Sequence, residues 1–311
     1  MDILLHYNVG PRLQAALDAE QRPGIDIRWA PEGDAKALLT AIASADALLH
    51  VLEPVTAEVM DAAPQLRLIQ KLGVGVNTID LAAARSRGIA VANLPGVNAV
   101  AVAEMTVGLL LAVLRRIPSF DRETRDGTGW PLDPAIPDRL GEVNGRTIGL
   151  IGYGDIARRF ETIVTAMGAT VVHHRRDSSA PRWLPLDELL ATADVVSVHL
   201  PLTDATRNLL DADRIARMKQ GAILLNTGRG GIVDEAALAA ALVSGHLAGA
   251  GLDVFATEPV DPSLELLALD NVVVTPHVSW LTTETLARCV HLGVANCRRL
   301  ADGEPLVNQI P

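Results

Sequence analysis

The 311-residue chain is short of cysteine, of lysine and of long apolar runs. Its two cysteines, Cys289 and Cys297, fall in one segment patterned as a helix. Eight residues of helix separate two side chains by about 12 Å, beyond the roughly 7 Å that a disulfide tolerates between α-carbons. No ordinary bridge is expected, two thiols alone make no metal site, and a reducing, cytoplasmic compartment fits. The longest apolar stretch, Val107 to Leu114, is far below the ~20 residues of a membrane-spanning helix. The start, MDILLHYNVGP, has no basic segment, apolar core and cleavage site in sequence, so no signal peptide is read. A net charge of −10 provides no general basic face. Nucleic acid and membrane are therefore not expected partners, whereas a small anion needs only a local cluster of positive charge. There is no tandem repeat and no low-complexity tract. The histidines His6, His50, His246 and His291 show no metal-ligand spacing, so they are read as structural and no metal is expected.

What is present is apolar and periodic. Hydrophobic residues make up 49% of the chain and charged residues 21%, enough for a sizeable core and against disorder. Two domains are expected at this length. Strands are predicted at 2–7, 25–29, 47–52, 66–72 and 89–93, with helical patterns such as 12–20 and 35–44 between them. Alternation of this kind implies a parallel sheet covered by helices. Asn98 is a candidate N-cap for a helix beginning AVAVAEMTVGLLLAVL, in which Val107, Leu110, Leu111 and Leu114 share a face that is expected to be buried. Residues 120–141 read as loop. A second alternation follows, with six strands at 147–151, 170–173, 194–199, 222–226, 249–254 and 271–275. Helical patterns at 155–167, 187–192, 211–218 and 234–244 separate most of them, and a final helix covers 283–301. The fold class is α/β, with a second half laid out as a dinucleotide-binding fold.

Gly152-Tyr153-Gly154-Asp155-Ile156-Ala157 follows the strand TIGLI and opens a helix. Gly152 permits a tight turn, Gly154 lets backbone approach a pyrophosphate, and the helix start offers free N–H groups. Ala157 stands in the position of the third glycine, as the fingerprint allows. At the end of the next strand, NAD enzymes place an acid for the ribose hydroxyls. Here the sequence is His173-His174-Arg175-Arg176-Asp177. Guanidinium groups pair with a 2′-phosphate, so NADP(H) is the expected preference and NAD(H) the alternative, with Asp177 serving the ribose after a shift of register.

Three further segments each put a polar residue just past a strand: Asn226-Thr227-Gly228-Arg229-Gly230, Asp253-Val254-Phe255-Ala256-Thr257-Glu258 and Pro276-His277-Val278-Ser279. Arg229 has the planar fork to hold a carboxylate. His277 has the proton chemistry for a carbonyl oxygen. Glu258 has the charge to orient an imidazole.

These segments, together with Gly73-Val74-Gly75-Val76-Asn77, Ile79-Asp80, Ala103-Glu104 and His199-Leu200-Pro201, resemble the D-2-hydroxyacid dehydrogenase family over nearly the full chain. The resemblance implies two similar α/β domains facing across a cleft, which closes to exclude water. The substrate domain, flavodoxin-like, would comprise 1–98 plus 281–311, and the inserted Rossmann-like cofactor domain 99–280. It implies catalysis by Arg229, Glu258 and His277, and a homodimer joined through the cofactor domain. Substrate carboxylate would be bound by backbone N–H groups of Val74 and Gly75 and by Arg229. Cofactor contacts would come from Gly152, Gly154, Asp155, Ile156, His174, Arg175, Arg176, His199, Pro201, Asn226, Thr227, Gly228, Asp253, His277 and Ser279. Trp280 stands where small residues are common, as either a pocket wall or a packed boundary residue. Lys71, one of only three lysines, would meet an extra anionic group or, the favoured reading, lie with its charge in solvent. Asn77 stands where many members have Asp, which nothing in the sequence explains.

The expected activity is reduction of small 2-oxo acids, of the glyoxylate or hydroxypyruvate type, to D-2-hydroxy acids. A phosphoglycerate-type dehydrogenase is the main alternative; it would need a phosphate site, and no regulatory domain is expected after the last helix. A phosphite- or formate-type dehydrogenase fits the histidine segment less well. From another class, a nicotinamide-sensing, corepressor-like binding protein would keep the fold without fast turnover.

Overall fold

The structure is a computed structural model, and it describes residues 1–130 and 133–311. In chain order the first elements are β1 (Asp2–His6), α1 (Pro11–Asp18), β2 (Asp26–Ala30), α2 (Ala35–Ile42), β3 (Ala47–His50), α3 (Ala57–Asp61), β4 (Leu68–Lys71), α4 (Leu81–Ser86) and β5 (Ala90–Ala92). The helices α5 (Ala99–Leu114) and α6 (Ile117–Arg125) follow. The second alternation comprises β6 (Thr147–Ile151), α7 (Asp155–Ala166), β7 (Thr170–His174), α8 (Leu186–Thr192), β8 (Val195–Val198), α9 (Ala212–Arg217), β9 (Ala222–Asn226), α10 (Glu235–Val243), β10 (Leu247–Leu252) and β11 (Val272–Val274). The last helix is α11 (Thr283–Ala301). Strand ends depart from the expected ones by one or two residues, where pairing frays.

The chain divides into two compact units, Met1–Asn98 with Leu281–Pro311, and Ala99–Trp280. The first holds a five-stranded sheet in the order β2-β1-β3-β4-β5, the second a six-stranded sheet in the order β11-β10-β9-β8-β6-β7. All the strand pairings described are parallel. Both units are thus parallel α/β folds of the Rossmann-like kind. In each sheet the winding reverses beside its first strand, between β1 and β3 and between β6 and β8. Such reversal points leave a crevice beyond the carboxyl ends of the strands, the usual ligand position in open α/β sheets.

Parallel strands are buried on both faces, because helices cover both. In the second sheet, Leu224 belongs to one apolar cluster and its neighbours Ile223 and Leu225 to the other. The same period of two sends Leu150 to one side and Ile151 to the other. In the first unit α11 returns the end of the chain to the sheet. Its Cys289, Val290, Val294 and Cys297 are buried, and a side chain at Gly293 would lie 2.7 Å from Leu72 of the β4 end. Both thiols are free, and burial pushes each up to about 12.

Three sequence expectations are corrected here. Residues 120–141 are not all loop: α6 runs through Ile117–Arg125 and a short 3-10 turn covers Ile136–Arg139, while the loop expected at 131–132 lies outside the described residues. Pro118 at the start of α6 is compatible with a helix, since the first turn has no N–H partner to lose. Asn98 does precede α5, but its Oδ1 is buried without a hydrogen-bond partner, so it does not cap the helix. The buried face of α5 is also wider than expected. Ala103, Thr106, Leu110, Val113 and Leu114 are buried, while Val107 and Leu111 are half-buried at its margin.

Candidate active site

The second unit aligns three strand ends. Asn226 of β9 pairs with Leu252 of β10, and Leu252 with Val274 of β11. The segments carrying Arg229, Glu258 and His277 therefore leave the sheet at one level on adjacent strands. Gly230 brings two of them together. A β-carbon there would lie 1.9 Å from the Phe255 carbonyl carbon, so backbone of the β9 loop rests directly on backbone of the β10 loop and only glycine fits.

His277 carries φ 55, a left-handed conformation that an L side chain rarely adopts. Such a residue costs on the order of 1–3 kcal/mol and persists only where its surroundings impose it. Asp253 imposes it. The carboxylate has no solvent exposure. It accepts hydrogen bonds from Thr275 Oγ1 at 2.6 Å, from the Val278 N–H at 2.9 Å and from the Ser279 N–H at 3.0 Å, while the Asp253 carbonyl accepts from the His277 N–H at 2.8 Å. Trp280 Nε1 donates to the His277 carbonyl at 3.1 Å, and the ring is buried, so Trp280 is a packed boundary residue.

His277 Nδ1 lies 2.6 Å from Glu258 Oε2. An ionised carboxylate only accepts, so Nδ1 carries the proton and Nε2 is the atom free to exchange one. Glu258 Oε1 accepts from the Phe255 N–H at 3.0 Å. Burial works to raise the Glu258 carboxyl, but the hydrogen bonds from His277 and Phe255 and the charges of His277 and Arg229 outweigh it and hold it below the usual carboxylate range. The half-buried Arg229 donates from Nη1 to the Gly228 carbonyl at 2.7 Å. Desolvation lowers its pKa against the opposing charge of Glu258, and a guanidinium stays charged throughout.

The turn after β6 fits a dinucleotide. Gly152 has φ +94, and a β-carbon there would lie 2.6 Å from the His199 carbonyl oxygen. A β-carbon at Gly154 would meet nothing within 4 Å, and no side chain caps the start of α7, so the approach to its first N–H groups is open. Asp155 and Ile156 occupy that first turn. His199 Nε2 is 2.9 Å from Ser197 Oγ, and desolvation takes the ring down to about 4, so it is a neutral wall. Pro201 is exposed on the loop that follows.

Three residues expected to touch cofactor are first of all braces. Asn226, 1% exposed, donates from Nδ2 to the Arg229 carbonyl and accepts at Oδ1 from the Gly228 N–H, both at 3.0 Å. Thr227 Oγ1 lies 3.0 Å from Thr106 Oγ1 on α5. Asp253 is the third, and Ser279 is buried beneath the same turn. At the end of β7, His174 Nδ1 is 3.0 Å from the Leu184 carbonyl. Arg175 pairs with Asp177 at 2.5 Å, and Arg176 is exposed.

In the first unit, His6, His50 and Lys71 stand in register at the ends of β1, β3 and β4. Lys71 is corrected from a solvent-facing reading: it is buried, and its Nζ donates to the Val51 carbonyl. Burial, then the charge of Lys71, drives His50 down to about 3. The loop after β4 is pinned by Asn93 Nδ2, which donates to the Val74 carbonyl at 2.8 Å, and by the Leu94 N–H, which donates to the Gly73 carbonyl at 2.8 Å. Among the described residues the N–H groups of Val74 and Gly75 donate to nothing in the chain.

The family model of the D-isomer specific 2-hydroxyacid dehydrogenase NAD binding domain matches residues 107–279. A glyoxylate reductase of Thermofilum pendens is 41% identical over 287 residues, 89% of this chain and 84% of that protein. The chain belongs to the D-isomer specific 2-hydroxyacid dehydrogenase family. A D-3-phosphoglycerate dehydrogenase of Mycobacterium tuberculosis is also 41% identical, over 96% of this chain. The chain spans only 56% of that relative's length. The TT0316 protein of Thermus thermophilus superposes with a TM-score of 0.91 at 39% identity, covering 100% of both chains.

Within this dehydrogenase frame, sequence reasoning passed over Thr106, Glu161 and Arg182. Glu161 had a signal, a charged residue among Ala157, Phe160 and Val164 on the buried face of α7. Thr106 had none, since its partner is 121 positions away.

Replacing Gly230 by Ala is expected to cost about 1–3 kcal/mol, as overpacked interiors do, read from the urea midpoint. An unchanged midpoint with full activity would show that the two loops part freely. His50 takes up a proton on unfolding, because its pKa is about 3 here against 6.5 in the open chain. Its stabilising share is therefore complete above pH 6.5 and is lost as pH falls toward 3. A His50→Gln variant should lose stability less steeply across that window, and parallel slopes would exclude this source.

Proposed function

We propose that this protein is an NADP(H)-preferring reductase of small 2-oxo acids, of the glyoxylate or hydroxypyruvate class, yielding D-2-hydroxy acids. The observation that carries the reading is the His277–Glu258 pair, with Nε2 left free and with the charge of Arg229, from the strand end next to that of Glu258, acting on the Glu258 carboxylate. Val74 and Gly75 offer N–H groups to the substrate carboxylate, and Arg229 holds and polarises the α-oxo acid group. A reduced nicotinamide, when bound, would supply the hydride for the carbonyl carbon. His277 gives its Nε2 proton to the carbonyl oxygen, and Glu258 stabilises the imidazolium before transfer. In the reverse direction neutral Nε2 takes the hydroxyl proton. Gly152, Gly154, Asp155 and Ile156 would hold the pyrophosphate, and Arg175 and Arg176 would meet a 2′-phosphate. Both Asp177 oxygens are engaged within its own loop, by Arg175 and by Ser179, which disfavours Asp177 as a ribose ligand. Residues 1–98 with 281–311 act as the substrate domain and 99–280 as the cofactor domain. A homodimer through the latter follows from the family resemblance. The two free, buried thiols support a reducing, cytoplasmic setting.

A phosphoglycerate-type activity is the second reading, favoured by the mycobacterial relative. The burial of Lys71, whose Nζ is bonded to a carbonyl, weakens it as a free phosphate ligand.

Initial rates of NADPH and NADH oxidation with glyoxylate, hydroxypyruvate and phosphohydroxypyruvate test these readings together. Fast turnover of the first two with NADPH is expected, and a preference for the phosphorylated acid would favour the second reading. His277→Ala should lower kcat at least about a hundredfold, the usual scale of a general acid, and near-normal turnover would remove the role.

A further inference from the structure

A cluster beside the phosphate-binding turn is absorbed by none of these roles. Tyr153 sits between Gly152 and Gly154. Its ring stacks on His173 of β7 with centroids 4.0 Å apart. The guanidinium carbon of Arg158, on α7, lies 5.6 Å from the ring centre, and that of Arg175 lies 5.9 Å from it. At such distances the ring quadrupole attracts a cation. The Tyr153 hydroxyl donates to Glu161, a carboxylate only 8% exposed. Glu161 also pairs with Arg182 at 2.5 Å. Arg182 has φ 61, and its carbonyl accepts from the His173 N–H at 3.0 Å. Trp183 Nε1 donates to the Arg175 carbonyl at 2.8 Å. One ring and one buried carboxylate thus tie the turn, α7, β7 and the segment after it.

The charges do not cancel. Arg182 answers Glu161, and Arg175 answers Asp177. Among the described residues no carboxylate pairs with Arg158 or Arg176. Arg158 therefore brings to the ring a guanidinium charge that no carboxylate of the described residues offsets, beside an Arg175 already paired with Asp177. A phosphate monoester carries about −1.5 to −2 charges at neutral pH, more than a single guanidinium offsets.

We propose that Arg158 adds a third guanidinium, beside Arg175 and Arg176, for the cofactor 2′-phosphate and that Tyr153 is the positioning residue that holds Arg158 and Arg175 for it. The inference rests on the NADP(H) reading above. It makes discrimination depend on α7 as well as on the end of β7. A plain 2′-hydroxyl gains nothing from Arg158, so the residue separates the two dinucleotides by charge.

Calorimetric binding of adenosine 2′,5′-bisphosphate and adenosine 5′-monophosphate to the full chain tests this without turnover. The bisphosphate should bind the parent protein more tightly. Arg158→Ala should lower bisphosphate affinity about tenfold, the scale of one charge-assisted contact, and leave the monophosphate within about twofold. Because Arg158 is exposed, the variant should fold normally. Tyr153→Phe keeps the ring and should retain the discrimination; Tyr153→Leu should behave like Arg158→Ala. With saturating NADPH, kcat should be unchanged in Arg158→Ala while KM for NADPH rises. If Arg175→Ala erases the discrimination and Arg158→Ala does not, the proposal is wrong and the cofactor reading stands. If the parent protein binds both nucleotides equally, the cofactor reading itself falls, and the proposal with it.

Discussion

The candidate site depends on one carboxylate that never meets solvent. Asp253 gathers Thr275, Val278 and Ser279 onto its two oxygens, and its carbonyl takes the His277 N–H. A left-handed histidine is a strained residue, and three hydrogen bonds to a buried anion are strong enough to sustain it. The direction of the imidazole follows from that strain. Glu258 then needs only to accept from Nδ1, and its own position is set by the Phe255 N–H of its loop. The chemistry is assembled from loops, but each loop is held by hydrogen bonds of the kind that hold a strand end.

The second constraint is steric. Gly230 and Phe255 share a space too small for a methyl group. Arg229 is therefore delivered beside Glu258 by backbone contact and does not rely on the flexible length of its side chain. The cost is carried by the arginine, whose partial desolvation weakens its hold on the proton without removing the charge. Two loops in such contact move together or not at all, which suits the proposed roles of His277 and Glu258 as an acid–base pair and of Arg229 as an anion clamp on one substrate.

Much of this was legible in the sequence, because open α/β sheets put their chemistry at strand ends, and strands rich in Val, Ile and Leu announce themselves. Arg229, Glu258 and His277 were readable as a set for that reason. What escaped reading was what side chains do besides chemistry. Asp253, Asn226 and Thr227 look like ligands from their positions, yet they spend their polar atoms on the neighbouring backbone and on Thr106. Lys71 looked solvent-facing because lysine usually is. It lies in β4, between β3 and β5, where a parallel sheet leaves no open side. The α6 helix was hidden by its proline and its charges, which are features of helix starts and exposed faces as much as of loops.

The return of the last helix to the first sheet has a consequence for how the protein is made. On the ribosome, the strands of the first unit emerge before the second unit, but α11, whose Gly293 lies against Leu72 and which buries Val290, Val294 and Cys297, emerges only after it. The second unit, continuous from Ala99 to Trp280, is whole before them. The nascent first sheet must therefore wait through the synthesis and folding of an entire inserted unit with an apolar flank uncovered. The flank awaiting α11 stays open to water for that whole interval.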